Sequence, residues 1–172
     1  MKNKSYFAIL FLLLGVYSFA QNQSSNSFDW DNVRYGGRLG LEFSSNATSI
    51  TVAPAAIYQF NEKFAAGPAI SFGFVDYKEV DASLINYGGS LLAFYTPIRQ
   101  IQLSTEFEQV FVTQTTNFAG REFKDNYNYQ ALFFGAGYRM GNVILGVRYD
   151  VLYNEDTNIY ASPFEPFLQV FF

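Results

Sequence analysis

Glu106 and Glu108 stand two residues apart in an alternating run, a spacing that puts both carboxyls on one face of an extended strand. A pair of that kind can divide general acid and general base between its members, provided one carboxyl has a raised pKa and no arginine in reach. The rest of the charge pattern points elsewhere. Arg34, Arg38 and Glu42 share a face in an earlier run and Arg148 and Asp150 share one in a later run, while Arg139 and Glu165 take the same inward phase. Charges taken out of water are tolerated when they are paired and hydrogen-bonded, so these nine residues are expected to form a structural network and not a catalytic centre. The chain contains no histidine and no cysteine. That removes the base of Ser-His and Asp-His hydrolysis and the usual ligands of zinc and haem. No enzymatic activity, no cofactor and no metal site is therefore expected. The glycines at 36, 37 and 40 and at 135, 137 and 141 lack the spacing and the following helix of a dinucleotide site.

Eight runs must position these charges: 33–43, 48–60, 64–75, 84–95, 101–113, 127–139, 143–153 and 164–172. Each is long enough to cross a bilayer as a tilted strand, for which about 9 to 11 residues are needed. The first puts Val33, Tyr35, Leu39 and Leu41 on one face and Arg34, Arg38 and Glu42 on the other. The fifth sets Ile101, Leu103 and Phe107 against Gln102, Glu106 and Glu108, and the seventh sets Val143, Leu145 and Val147 against Arg148 and Asp150. In the second to fourth runs apolar residues alternate with small ones such as Ala65, Gly67, Ala69 and Ser71, and Pro54 and Pro68 fit only at an edge, bulge or bend. The connections at 61–63, 96–100 and 140–142 are short, whereas those at 76–83, 114–126 and 154–163 are long and polar; 44–47 is shorter than this pattern asks. An apolar face on strand after strand, with no helix to cover it, requires lipid or a partner.

The two ends of the chain carry further signals. Lys2 and Lys4, the apolar stretch 6–16 and Ser18-Phe19-Ala20 have the three-part form of a secretory signal peptide, with cleavage expected after Ala20. Residues 21–27 are Asn/Ser/Gln-rich and aperiodic, so 21–29 reads as a flexible leader and the ordered domain is expected over 30–172. Without Lys2 and Lys4 the eleven basic residues fall to nine against fifteen acidic ones, a net charge of −6 that excludes nucleic acid as a partner. The last run ends with Phe164, Pro166, Leu168, Val170 and Phe172 on one face and Glu165, Phe167, Gln169 and Phe171 on the other.

This combination of signal peptide, eight alternating runs, unequal connections and terminal Phe172 resembles the small eight-stranded outer-membrane barrels of the OmpX, OmpA-transmembrane-domain and OmpW type. The resemblance implies an all-β fold, a closed antiparallel transmembrane barrel with short periplasmic turns and longer extracellular loops. It also implies location in the outer membrane of a Gram-negative cell envelope, among outer-membrane lipid. Periplasmic chaperones and the outer-membrane assembly machinery would be partners, the latter reading Phe164, Leu168, Val170 and Phe172. Within that frame Arg38, Glu106 and Arg148 fall near mid-lumen, Glu42, Glu108, Asp150 and Glu165 towards the outer mouth, and Arg34 and Arg139 towards the periplasm.

An eight-stranded barrel is only wide enough to be filled by its own side chains. The expected function is thus structural or interactive, with a salt-bridged, largely closed lumen and a surface ligand met by the loop from Gln114 to Asn126. The alternatives are a narrow pore or lateral gate for small or apolar molecules and, third, carboxylate catalysis at Glu106 and Glu108.

Overall fold

The computed structural model describes residues 29–43, 47–77, 82–118, 121–154, 159 and 162–172. Within these, a single turn of 3-10 helix at Trp30–Asn32 leads into eight strands: β1 Val33–Phe43, β2 Ala47–Gln59, β3 Phe64–Tyr77, β4 Ala82–Ile98, β5 Ile101–Phe118, β6 Arg121–Met140, β7 Val143–Asp150 and β8 Phe164–Phe171. Each pairs antiparallel with the next, and β1 pairs with β8 from Gly36–Phe171 to Leu39–Leu168, so the sheet closes on itself. The expected signal peptide, and the leader up to residue 28, lie outside the described residues.

The two-residue period decides which atoms face where. In β8, Glu165, Phe167, Gln169 and Phe171 are buried, while Phe164, Pro166 and Phe172 are exposed. The same inversion of a soluble core runs round the sheet, with Leu39, Val52, Ile70, Leu91, Leu103 and Val147 among the exposed apolar side chains. Aromatic pairs lie near both ends of this apolar band: Phe64 stacks on Tyr95 at 4.7 Å on the turn side, and Tyr87 stacks on Phe111 at 5.4 Å towards the other end. No described helix is long and apolar enough to cross a membrane, which bears only on helices.

Local chemistry sets the short turns. Asn61 Oδ1 accepts the backbone N–H groups of Lys63 and Phe64 at 2.9 and 3.0 Å, an Asx turn between β2 and β3. Gly141 takes φ +64° between β6 and β7, a conformation that costs glycine little. Pro97 sits in an irregularity of register between Tyr95 and Ile98, where β4 needs no ladder donor. The β2–β3 ladder is interrupted at Ala53–Pro54 and again opposite Pro68, as the missing proline N–H requires.

Three elements differ from the sequence expectation. The long loop expected at 114–126 is largely strand, because β5 continues to Phe118 and β6 begins at Arg121, paired throughout from Phe118–Arg121 inward. Similarly, β3 and β4 extend to Tyr77 and back to Ala82, closing most of the loop expected at 76–83. Conversely, β7 stops at Asp150 and not at 153, because the Asp150 carboxylate accepts the N–H of Leu152 at 2.9 Å and that of Leu132 at 3.1 Å and turns the chain.

Candidate functional site

The interior is layered along the barrel axis. Near the turn end Ile57, Leu92, Phe94, Ile144, Phe167 and Phe171 form an apolar plug, with Phe94 edge-on to Phe171 at 5.7 Å. Towards the other end Val75, Leu84, Val110, Val112 and Ile159 form a second apolar cluster flanked by Tyr77, Tyr127 and Tyr129. The charged layer lies between them.

Register explains why the charges meet. Arg38 in β1 stands opposite Gln169, Glu106 in β5 opposite Phe133, and Arg148 in β7 opposite Glu165, so all four strands send these side chains into one cross-section. Glu106 Oε1 accepts from Arg38 Nη2 at 3.3 Å and from the Ser90 hydroxyl at 2.8 Å, and its Oε2 accepts from Arg148 Nη1 at 2.7 Å. Arg148 then donates from Nη2 and Nε to Glu165 Oε2 at 2.7 and 3.1 Å, and its guanidinium lies 3.6 Å from the centre of the Phe133 ring. Planar guanidinium suits this double use, with a fork of donors in the plane and a face for the aromatic ring. Arg38, Glu106, Arg148 and Glu165 are all buried. The space beside Arg38, Glu106, Gln169 and Phe171 has no volume open to a water molecule.

The structure therefore gathers Arg38, Glu106, Arg148 and Glu165, and it moves Glu165 from the expected outer mouth into the mid-lumen layer. Glu108 lies beside them but has a different partner, the Ser71 hydroxyl, and no ion pair among the described residues. Asp150 is buried and spends its carboxylate on two backbone N–H groups. The side chain of Glu42 lies outside the described residues. Arg139 sits towards the turn end, donating to Gln102 Oε1 at 2.6 Å, and Gln102 donates in turn to Gln169 at 3.3 Å. Arg34 is exposed at the same mouth. Ser71, Ser90 and Phe133 carry no charge and are silent in a search for chemistry by residue type; the register of adjacent strands brings Ser90 to Glu106 and Phe133 to Arg148, and the curvature of the sheet brings Ser71 of β3 to Glu108 of β5.

No described group of three or more histidine, cysteine, aspartate or glutamate side chains could hold a metal ion. Glu106, Glu165, Glu108 and Asp150 accept from arginine, serine or backbone donors. Apolar outside, salt-bridged inside and closed from β1 to β8, the chain is a small eight-stranded antiparallel barrel. Among solved structures it is similar to Ail, the attachment invasion locus protein of Yersinia pestis, at 12% identity and TM-score 0.49, over 81% of this chain and 93% of Ail. It is also similar to Neisserial surface protein A, at 14% identity and TM-score 0.46, over 81% and 91% of the two chains. The translocator domain of the autotransporter NalP from Neisseria meningitidis aligns at 15% identity and TM-score 0.44, over 84% of this chain and 57% of NalP. No protein-family model and no curated protein sequence matches the chain.

Proposed function

We propose that this chain is an integral outer-membrane protein without catalytic activity that acts through its surface, with a closed lumen. The reading places the short turns in the periplasm and the far ends of β4, β5 and β6 outside the cell. Residues 1–20 would direct export, and the outward face of β8 with Phe164, Leu168, Val170 and Phe172 would address the assembly machinery.

One observation carries the surface role. β5 and β6 contain 18 and 20 residues, well beyond the roughly 9 to 11 that a tilted strand needs to span a bilayer. β4 follows β5 as far as Ala82–Thr116, but β7 joins β6 only from Phe133–Asp150 inward. Among the described residues, the β7-side edge of β6 above Leu132 thus has no strand beside it, over about 35 Å at ~3.4 Å per residue. Such an edge is a template for an added strand, and although Asp125 Oδ1 accepts the Asn126 N–H within it at 2.9 Å, the run as a whole would supply backbone affinity to an extended segment of a partner protein. The inner face of this wall is held by the cluster around Val110 and Val112, so the edge is presented on a packed support.

The experiment removes residues 114–125 and rejoins the strands with a two-residue turn. Surface binding to partner cells should disappear while the folded barrel keeps its heat-modifiable gel mobility; binding equal to that of the parent would refute the surface role. The pore alternative is checked separately by planar-bilayer conductance, where the closed charged layer predicts silence.

A further inference from the structure

The turn-side mouth has a charge pattern that neither the salt-bridged lumen nor the surface wall uses. Arg34, Lys63, Arg99 and Arg139 line a recess of about 650 Å³ at this end, and Glu62 is its one acidic lining residue. A smaller cavity of about 40 Å³ beneath it shares Arg34, Lys63 and Arg139 and is floored by Ile57, Phe94 and Phe171. None of the four cations makes an ion pair with a described carboxylate. Arg34 lies near enough to Arg139 for their like charges to repel. Arg139 is nonetheless held in place by its bond to Gln102, and its Nε is buried without a partner. Like charges gathered around an open recess, with a donor left unused, is the arrangement that an anion would complete.

We infer that this mouth is a binding site for a phosphate-bearing anion, with Arg34 and Arg139 as its principal contacts and Lys63 and Arg99 at the rim. Guanidinium forks match the oxygens of phosphate in a bidentate way, and lysine adds a mobile point charge. The larger recess falls within the range of small-ligand sites, about 300 to 1,000 Å³. Ile57, Phe94 and Phe171 beneath leave the guanidinium groups few competing polar neighbours on that side, so their donors stay directed into the recess. Two sources present this chemistry: a free phosphate compound entering along the axis, and an anionic phospholipid headgroup reaching over the rim beside the exposed Ile98 and Arg99. The inference stands apart from the surface role, since the wall and its edge lie at the opposite end.

The test uses the refolded chain in zwitterionic micelles with inorganic pyrophosphate followed by calorimetry, and in phosphatidylcholine vesicles containing phosphatidylglycerol followed by spin-labelled lipid association. The parent should bind one or both probes saturably, and less tightly as salt is raised. The double variant Arg34→Gln/Arg139→Gln should weaken binding at least about tenfold, the loss expected for two charge-assisted contacts. Arg121→Gln, at the far end of β6, should leave it unchanged, and Glu62→Gln should tighten it. Pyrophosphate binding alone identifies a free phosphate ligand, and lipid association alone identifies the headgroup; both support the site. Binding of neither probe, or equal losses in the double variant and Arg121→Gln, overturns it. Heat-modifiable mobility of each variant establishes that the barrel has formed.

Discussion

The middle of the lumen and its turn-side mouth hold the same residue types in opposite arrangements. At mid-lumen each buried guanidinium meets carboxylate: Arg38 reaches Glu106, and Arg148 reaches both Glu106 and Glu165. At the mouth, Arg34, Lys63, Arg99 and Arg139 surround open space with Glu62 alone among them. The difference follows from solvent. In the dry cross-section an unmatched charge would cost several kcal/mol, so charges occur there as a connected set. At the mouth water screens the like charges, so the excess persists at small cost and remains available to a ligand.

Substitutions should separate the two regions sharply. Glu106→Gln leaves Arg38 and Arg148 in the dry layer with their shared counter-charge removed, and should cost about 3 to 5 kcal/mol in urea unfolding from micelles. A loss under about 1 kcal/mol would mean that water reaches this layer and the contrast is lost. Glu165→Gln should cost less, about 2 to 3 kcal/mol, because Arg148 keeps Glu106. Glu108→Gln should be tolerated within about 1 kcal/mol, since the amide oxygen still accepts from Ser71 and no arginine loses an ion pair. The smallest effect is expected at the mouth. Arg34→Gln removes an exposed charge that repels Arg139 and should change stability by no more than about 0.5 kcal/mol in low salt. A loss as large as that of Glu165→Gln would show that the mouth cations are structural.

Particular elements show how far the sequence could be read. β1 and β8 were legible over their whole described lengths, because lipid-side and lumen-side residues alternate without interruption. The outer ends of β5 and β6 were not. Residues 113–117 read Thr-Gln-Thr-Thr-Asn, and beyond the apolar band the outward face meets water, so the contrast between faces that marks a strand disappears there although pairing continues. β7 failed in the opposite sense, since Val151 and Leu152 prolong the apolar pattern while the Asp150 side chain ends the strand. For Arg38, Glu106, Glu108, Arg148, Asp150 and Glu165, which are buried, the inward phase was readable, but the partners were not.

Strand number, the apolar outer face and the inward placement of the charges were determined by sequence alone, because each rests on a period of two residues that needs no knowledge of the neighbouring strand. The tertiary structure decided which charges meet. Arg38 and Glu106 are 68 residues apart, and Arg148 reaches across to Glu106 as well as to Glu165 on the adjacent strand; the register and closure of the ring set those distances. The same closure, acting on the turn end, left four cations around a recess with one carboxylate.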